Sequence, residues 1–421
     1  MKILFVNWSW YATGGDWTYI ENLKKLYEIN GHEVIPFSTL NIKNEETVYE
    51  HYFVKSYDFK ELNKKKNFTN GIKVLKTSIV SRDALEKLDI FLNATDGIEV
   101  AHLHNIHHYI TPAIIKYLHS RKIKIIWTLH DFKIICPENS FISNGKLCEK
   151  CITGDFYHCA LNLCKKKSFL ASSLASFEAY YYHKKGVYHL VDYYLCPSKF
   201  LMEKFIQFGF GKSKMVVANS CYDITLVDNF INKYRIIDEV VGTKVTDKYV
   251  LYVGRLEDIK GVNILIEAVI DSTIKLIIAG SGAAEKGLQA MAKGHTNIIF
   301  VGQCNKAEIF KLIMHAHFVV CPSVCYENLP FSIIESFLFC KPVIGSEIGG
   351  IPELVTDGKT GLLFEVGNAA HLAEKMNYLW NNEAVVLKMG EAARLHAYNM
   401  VNFSAHWNKL DTVLQSLGNA T

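Results

Sequence analysis

Two carboxylates eight residues apart bracket a proline in the run Glu327-Asn328-Leu329-Pro330-Phe331-Ser332-Ile333-Ile334-Glu335. Phe331, Ile334, Phe337 and Leu338 recur at helical spacing. Proline is accommodated at a helix start because the first backbone N–H groups lack partners there. The pattern predicts a helix opening at Pro330, with Glu335 near its first turn and Glu327 just ahead of it. Both carboxylates can then face one ligand, since carboxylates suit sugar or ribose hydroxyls and a helix N-terminus suits phosphate. Taken alone, the pair reads more simply as one solvated and one capping glutamate.

Upstream, the apolar strand Tyr249-Val250-Leu251-Tyr252-Val253 ends at Gly254-Arg255, and Lys260-Gly261 opens a helix carrying Val262, Leu265, Ile266 and Val269. Two cations at a strand-to-helix turn suit a diphosphate, Arg as a planar fork and Lys as a mobile point charge. Two surface cations on an ordinary turn would look the same. Gly280-Ser281-Gly282, Phe300-Val301-Gly302, Pro322-Ser323, Lys341-Pro342-Val343-Ile344 and Gly349-Gly350-Ile351-Pro352-Glu353 accompany them. In this order and spacing the set resembles the C-terminal half of the retaining GT-B glycosyltransferases of family 4, also called glycosyl transferases group 1. The resemblance extends over essentially the whole chain and is strongest over residues 249–365.

The resemblance implies an α/β GT-B fold, two Rossmann-like parallel-sheet domains facing an interdomain cleft. It implies transfer of a sugar from a nucleotide-diphosphate-sugar to a glycan or lipid-linked acceptor, in bacterial surface polysaccharide biosynthesis, with retention of configuration. Arg255 and Lys260 would neutralise the diphosphate as charge builds on the leaving oxygen. Glu335 would hold the ribose hydroxyls and Glu327 the donor sugar, with the backbone of Asn328 and Leu329 helping. Gly14, Gly15, Gly254, Gly282, Val301 and Pro330 complete the expected donor pocket. The family's usual Phe-Gly, two residues after the first Glu, is replaced by Leu329-Pro330, which leaves the sugar pocket and donor identity open. His130 follows a strand and corresponds to a catalytic histidine beside the transferred sugar, while Asp131, His104 and Asn105 fall on the acceptor side. No Asp-x-Asp pair occurs in the chain, so no catalytic metal is expected and the two cations take its place. A GT-B-fold epimerase or phosphorylase would use the same cleft. A non-catalytic scaffold binding through a Cys-rich loop is a second alternative, disfavoured by the intact Arg255, Lys260 and Glu335.

Five cysteines, Cys136, Cys148, Cys151, Cys159 and Cys164, fall in a segment with little periodicity and contain a C-x2-C knuckle. Four thiolates could hold a structural zinc there; reduced buried cysteines or an iron–sulfur centre are the alternatives. His102, His104, His107 and His108 form a dense imidazole group, but no third-ligand motif accompanies them. Lys165-Lys166-Lys167 precedes Phe169, Leu170, Leu174 and Phe177, and Lys64-Lys65-Lys66 adds a second basic stretch. Basic residues beside aromatics suit peripheral contact with an anionic bilayer, and equally a core helix with a solvated basic face.

Elements that could position these groups alternate along the chain. Strands are expected over residues 3–7, 33–36, 100–104, 123–128 and 193–196, then 249–253, 275–279, 297–301, 318–321 and 342–345. Strands alternating with helices indicate parallel α/β architecture. At 421 residues the chain exceeds one core, so the expected division is an N-terminal domain 1–215 with a Cys-rich insertion 136–164, a C-terminal domain 216–395, and a last helix 396–421 returning to the first. Residues 238–248 read as a surface insertion. A net charge of +4 is too mild to indicate nucleic acid, and no apolar run reaches the ~20 residues of a membrane span. The N-terminus lacks a signal-peptide pattern, and the odd count of eleven cysteines favours reduced thiols or metal. The expected location is cytoplasmic, peripheral on the inner membrane face.

Overall fold

A computed structural model describes residues 1–55, 79–107, 109–241 and 248–418. Lys64-Lys65-Lys66, His108 and residues 242–247 of the expected insertion lie outside the described residues. The helix Ile224–Val241 covers the start of that insertion. Contacts divide the chain into two compact units. The first contains Met1–Pro197, Leu201–Ala218 and Trp407–Thr421; the second contains Ser198–Phe200 and Asn219–His406.

In the first unit the strands are β1 (Lys2–Val6), β2 (Glu33–Phe37), β3 (Ile98–Leu103), β4 (Lys124–Thr128), a hairpin of β5 (Ile142–Ser143) and β6 (Lys146–Leu147), β7 (Tyr193–Cys196) and β8 (Met215–Val217). Six of them form a parallel sheet in the order β2-β1-β3-β4-β7-β8. Leu4 lies opposite both Ile35 and Ala101. Leu4, Phe5 and Val6 are buried, as a strand covered on both faces requires. The order reverses between β1 and β3. Ligands in such sheets bind outside the carboxyl ends of the strands at this point.

The second unit repeats the architecture with β9 (Val250–Val253), β10 (Leu276–Ala279), β11 (Ile298–Gly302), β12 (Phe318–Cys321), β13 (Val343–Ser346) and β14 (Gly361–Phe364) in the order β11-β10-β9-β12-β13-β14. Its switch point lies between β9 and β12, where Leu251 pairs with Val319. Side chains alternate across the sheet. Leu251, Val319 and Val343 join Ile333, Phe337 and Leu338 in one core layer, while Val250, Tyr252, Val320 and Ile344 join Leu265, Val269 and Met376 in the other. Each such side chain, fully buried, contributes about 2 kcal/mol. The helices Val262–Val269 and Phe331–Leu338, which follow β9 and β12, are therefore anchored by their apolar faces, which sets the aim of the loops at their N-termini.

Candidate functional site

In the second unit the residues singled out by sequence lie mainly on the loops that leave β9 and β12. Lys260 ends a short 3-10 turn (Asp258–Lys260), and Glu327 lies between β12 and the helix Phe331–Leu338. Lys260 Nζ stands 2.6 Å from Glu327 Oε1, and the Ser323 hydroxyl donates to the same oxygen at 2.6 Å. Burial pushes the Glu327 carboxyl up, but Lys260 and Ser323 outweigh it and hold the group below the ordinary carboxylate value. Burial likewise pulls the Lys260 ammonium down, and Glu327 more than offsets this, leaving it above its ordinary value. The pair is thus charged at neutral pH, with a cation fixed beside the switch point.

Two glycines make that placement feasible. Gly261 adopts a φ of 66°, and a Cβ there would stand 2.0 Å from the Pro322 carbonyl oxygen. A Cβ at Gly350 would stand 1.9 Å from the Asn328 oxygen, where the Gly350 N–H donates to Glu327 O at 2.7 Å. The loops carrying Lys260 and Glu327 are packed backbone against backbone, so neither position tolerates a larger residue without moving the pair.

Arg255 is 65% exposed at its side chain and pairs with Glu257 at 2.8 Å. Gly254 and Gly282 sit on facing loops, with Leu256 N–H bonded to Ser281 O at 2.9 Å. Val301 lies in edge strand β11, Leu329 is buried in the core, Asn328 is half-buried, and Pro330 caps the helix. Glu335 falls in the second turn of that helix rather than the first, and is only 5% exposed. Its Oε1 accepts from the Tyr222 hydroxyl at 3.1 Å and from Lys306. The Lys306 ammonium also lies over the Tyr222 and Phe310 rings, at 5.4 and 5.0 Å. Ser323, Tyr222 and Lys306 were not singled out by sequence; only the capping box Asn305–Glu308 at the start of the Lys306 helix was a visible signal.

In the first unit, Gly14 caps the helix Gly15–Ile29 directly after β1, and His104-Asn105 follows β3 across the switch point. Asn105 Nδ2 donates to Asp16 in the first turn of that helix at 2.9 Å, and its backbone N–H donates to Asn7 Oδ1 at 3.0 Å. His104 Nδ1 and His130 Nε2 are 3.1 Å apart, and Tyr19 packs edge-on to His130 at 5.4 Å. Burial pushes the His130 imidazole down to about 4, against an upward pull from Asp16, and burial pushes His104 well below its ordinary value. Both rings are neutral near pH 7 and share one hydrogen bond. Asp131 turns to the following loop, where it accepts from Lys133 N–H at 2.8 Å and Asn139 Nδ2 at 3.3 Å. Of the other histidines, His102 stacks on His104 with ring centroids 4.7 Å apart and bonds Tyr27 and Thr128 at 3.0 and 2.8 Å, while His107 stands apart, 4.0 Å from Glu178. Sequence also missed the buried pair of Lys133 and Glu178, at 2.9 Å.

All five clustered cysteines are free thiols, with Cys136, Cys151 and Cys159 buried and Cys148 and Cys164 partly so. Among the described residues, no three His, Cys, Asp or Glu side chains form a ready metal-binding set. The helix Phe169–Lys184 buries Ser172, Ala175, Ser176, Glu178, Ala179 and Tyr182 and exposes Phe169, Leu170 and Phe177 at 64%, 69% and 57%. Lys165 turns inward to the Glu138 carbonyl, while Lys166 and Lys167 are exposed. Among the described residues no helix is long and apolar enough to cross a membrane.

Comparison with known proteins adds an independent line. Residues 234–396 match the family described as glycosyl transferases group 1. The O-antigen chain mannosyltransferase C of Escherichia coli is 31% identical over 186 residues, 42% of this chain and 49% of that one. The D-rhamnosyltransferase WbpZ of Pseudomonas aeruginosa is 30% identical over 154 residues, 36% of this chain and 40% of that one. The matches thus span about half or less of these relatives. In three dimensions, the sucrose-phosphate synthase of Thermosynechococcus elongatus superposes with a TM-score of 0.73 over all of both chains at 17% identity. The Anabaena HepE protein in complex with UDP-glucose gives 0.64 over 99% of this chain and 100% of that one at 19% identity. At such identities the likeness concerns the fold alone, which is GT-B. Residues 234–396 belong to the glycosyl transferases group 1 family.

Proposed function

We propose that this chain is a retaining glycosyltransferase that moves a sugar from a nucleotide-diphosphate-sugar to a glycan or lipid-linked acceptor, in the assembly of a bacterial surface polysaccharide. The observation that carries the reading is the Lys260–Glu327–Ser323 constellation at the β9/β12 switch point. A cation held there can meet a diphosphate as negative charge grows on the leaving oxygen, and a fixed charge needs no reorganisation at that moment. Arg255, exposed on the loop after β9, adds a second cation with a bidentate fork. The two together supply the charge that a divalent metal supplies elsewhere. Glu335 has a carboxylate held by Lys306 and Tyr222, and its role is to accept from the ribose hydroxyls. Glu327 orients the donor sugar; tied to Lys260, it is not assigned as a nucleophile. On the first unit, His104, Asn105, His130 and Asp131 serve the acceptor side, with His130 as a neutral hydrogen-bonding ring.

The reading extends to a peripheral position on the cytoplasmic face of a membrane. Its support is the helix Phe169–Lys184, whose Phe169, Leu170 and Phe177 face outward, with the exposed Lys166 and Lys167 just ahead of it. Apolar insertion together with attraction to anionic headgroups fits this surface, and a lipid-linked acceptor would be found there.

The test is the thermal stability of the purified protein against UDP-, GDP-, dTDP- and ADP-sugars, followed by product analysis with the ligand that binds. A ligand at 100 times its Kd stabilises the native state by about 2.7 kcal/mol. One nucleotide sugar should raise the melting temperature, and Arg255→Ala should abolish the rise. Transfer to an acceptor is expected; isomerised sugar or sugar phosphate as sole product would instead identify an epimerase or phosphorylase. No shift with any donor would overturn the enzyme reading in favour of a scaffold.

A further inference from the structure

The five clustered cysteines have no part in the proposed transfer, yet they converge. Cys136, Cys148, Cys151, Cys159 and Cys164 line one small cavity of about 10 Å³, together with Glu138, Ser143, His158 and Asn162. That is room for one body the size of a water or a metal ion. The thiols arrive from separate local turns. Cys136 closes a turn on Phe132 O, Cys148 follows the β5–β6 hairpin and bonds back to Phe141 O, and Cys159 lies in the helix Tyr157–Leu161. Cys164 returns from the next turn by bonding Cys159 O. Cys151 is within electrostatic reach of Cys136, Cys148 and Cys164, and Cys159 within reach of Cys136, Cys151 and Cys164. The remaining six cysteines lie at 196, 221, 304, 321, 325 and 340, away from this segment in sequence, and none of them lines the cavity.

This segment is poorly equipped to hold itself together. Its regular structure amounts to two two-residue strands and a five-residue helix. Asn139, Phe141, Asn144 and Leu163 all adopt positive φ, between 50° and 82°, a conformation that costs free energy in residues other than glycine. The local core consists of Cys151, Phe156, Cys159, Ala175 and Ala179, so thiols stand where larger apolar side chains would normally pack. A cross-link through sulfur would stabilise what this core does not.

We propose that residues 136–164 form a structural zinc site with Cys151, Cys159 and Cys164 as three of its ligands and either Cys136 or Cys148 as the fourth. Zinc takes four ligands tetrahedrally, with Zn–S near 2.3 Å, and a closed sulfur set is the structural rather than the catalytic kind. A softer donor set than carboxylate excludes the hard cations as preferred occupants. Binding releases one proton for each of the four thiols that becomes a thiolate, and the resulting complex carries a double negative charge. Lys165, bonded to Glu138 O at 2.9 Å, and Lys204, paired with Glu149 at 2.5 Å, are cations in this neighbourhood. Because no three donors already form a closed set, binding must draw sulfurs inward across the shared cavity by side-chain rotation. The C-x2-C spacing favours Cys148 as the fourth ligand, and the deeper burial of Cys136 favours the other.

The experiment is metal analysis of the full chain, purified without added metal or metal-affinity resin, by mass spectrometry and by zinc release on titration with a mercurial. The expected result is about one zinc per chain, all of it released by the time one equivalent of reagent has been added for each of the eleven cysteines. Cys151→Ser and Cys159→Ser should each lose the zinc, Cys304→Ser should retain it, and one of Cys136→Ser and Cys148→Ser should lose it. If the cluster variants fail to fold, wild-type protein treated with a chelator decides: cleavage by a protease within residues 136–164 should appear, and zinc addition should suppress it. Four outcomes overturn the proposal: metal-free protein with every thiol titratable, a disulfide within the segment by intact mass, iron with labile sulfide, or zinc retained in both the Cys151 and Cys159 variants.

Discussion

At the scale of single residues, the Lys260–Glu327 pair separates a catalytic role from a structural one. Removing one partner leaves a mostly buried charge uncompensated, and such losses cost about 3 kcal/mol. Lys260→Ala should therefore both destabilise the protein by about that amount and lower turnover by at least ~10²-fold. Replacing both, as Lys260→Met with Glu327→Gln, should recover much of the stability and none of the activity. Recovery of both in the double variant, measured by denaturant melts and initial rates, would reduce the pair to scaffolding. The pair also fixes a pH window. Glu327 has a lowered folded pKa, so its contribution is present above its ordinary 4.5 and lost as pH falls through the lowered value. Lys260 has a raised one, so its contribution is present below 10.5 and lost as pH rises through the raised value. Individually, Glu327, Lys260 and Glu335 were legible as types at particular spacings. Their salt bridges were not, because no local pattern connects Lys306 to a glutamate 29 residues away.

His130 carries the second residue-scale prediction. Burial lowers its pKa from 6.5 to about 4, so the folded protein disfavours the imidazolium. Its linked stability is full above pH 6.5 and falls as pH drops from there to about 4, below which no further loss arises from this group. If the neutral ring is needed for transfer, the acid limb of the rate profile should lie well below 6.5 and should vanish in His130→Asn. A limb centred near 6.5 in the wild-type enzyme would mean that a solvated histidine, not this one, controls the rate.

At the scale of elements, the helix Phe169–Lys184 leaves large apolar side chains in solvent. Ser172, Ala175, Ser176, Glu178, Ala179 and Tyr182 are packed inward, and Phe169, Leu170 and Phe177 are left outside. A periodic pattern states which residues share a face, but not which face is inside, so aromatic spacing alone was equally consistent with a core helix. Replacing Phe169 and Leu170 with Ser should change stability by no more than about 0.5 kcal/mol, since neither is packed. It should nonetheless sharply reduce co-flotation with phosphatidylglycerol vesicles. Unchanged flotation, or no flotation of the wild type, would remove the bilayer from the account. Other elements escaped notice for different reasons. β8 has three residues, too short for periodicity to register. The β5–β6 hairpin had a readable signal in Asn144-Gly145, both at positive φ as a tight hairpin turn demands.

At the scale of the whole molecule, the strand–helix alternation was legible because parallel strands buried on both faces appear as continuous apolar runs, such as Tyr249-Val250-Leu251-Tyr252-Val253. The strand order was not legible, since nothing local tells β9 to pair with β12 rather than β11. Yet order decides where the chemistry lies. With β9 between β10 and β12, helices feeding from β9 and β12 leave on opposite faces, and the loops holding Lys260 and Glu327 are left side by side. A donor bound there should order those loops and little else in the second unit. Hydrogen exchange with a nucleotide-sugar present should slow in peptides covering residues 254–261 and 323–335, with the sheet's far edge at 361–364 unchanged. Protection spread evenly over the second unit would indicate general stabilisation rather than this site. Protection confined to the first unit would move the nucleotide from the β9/β12 switch point to the one between β1 and β3.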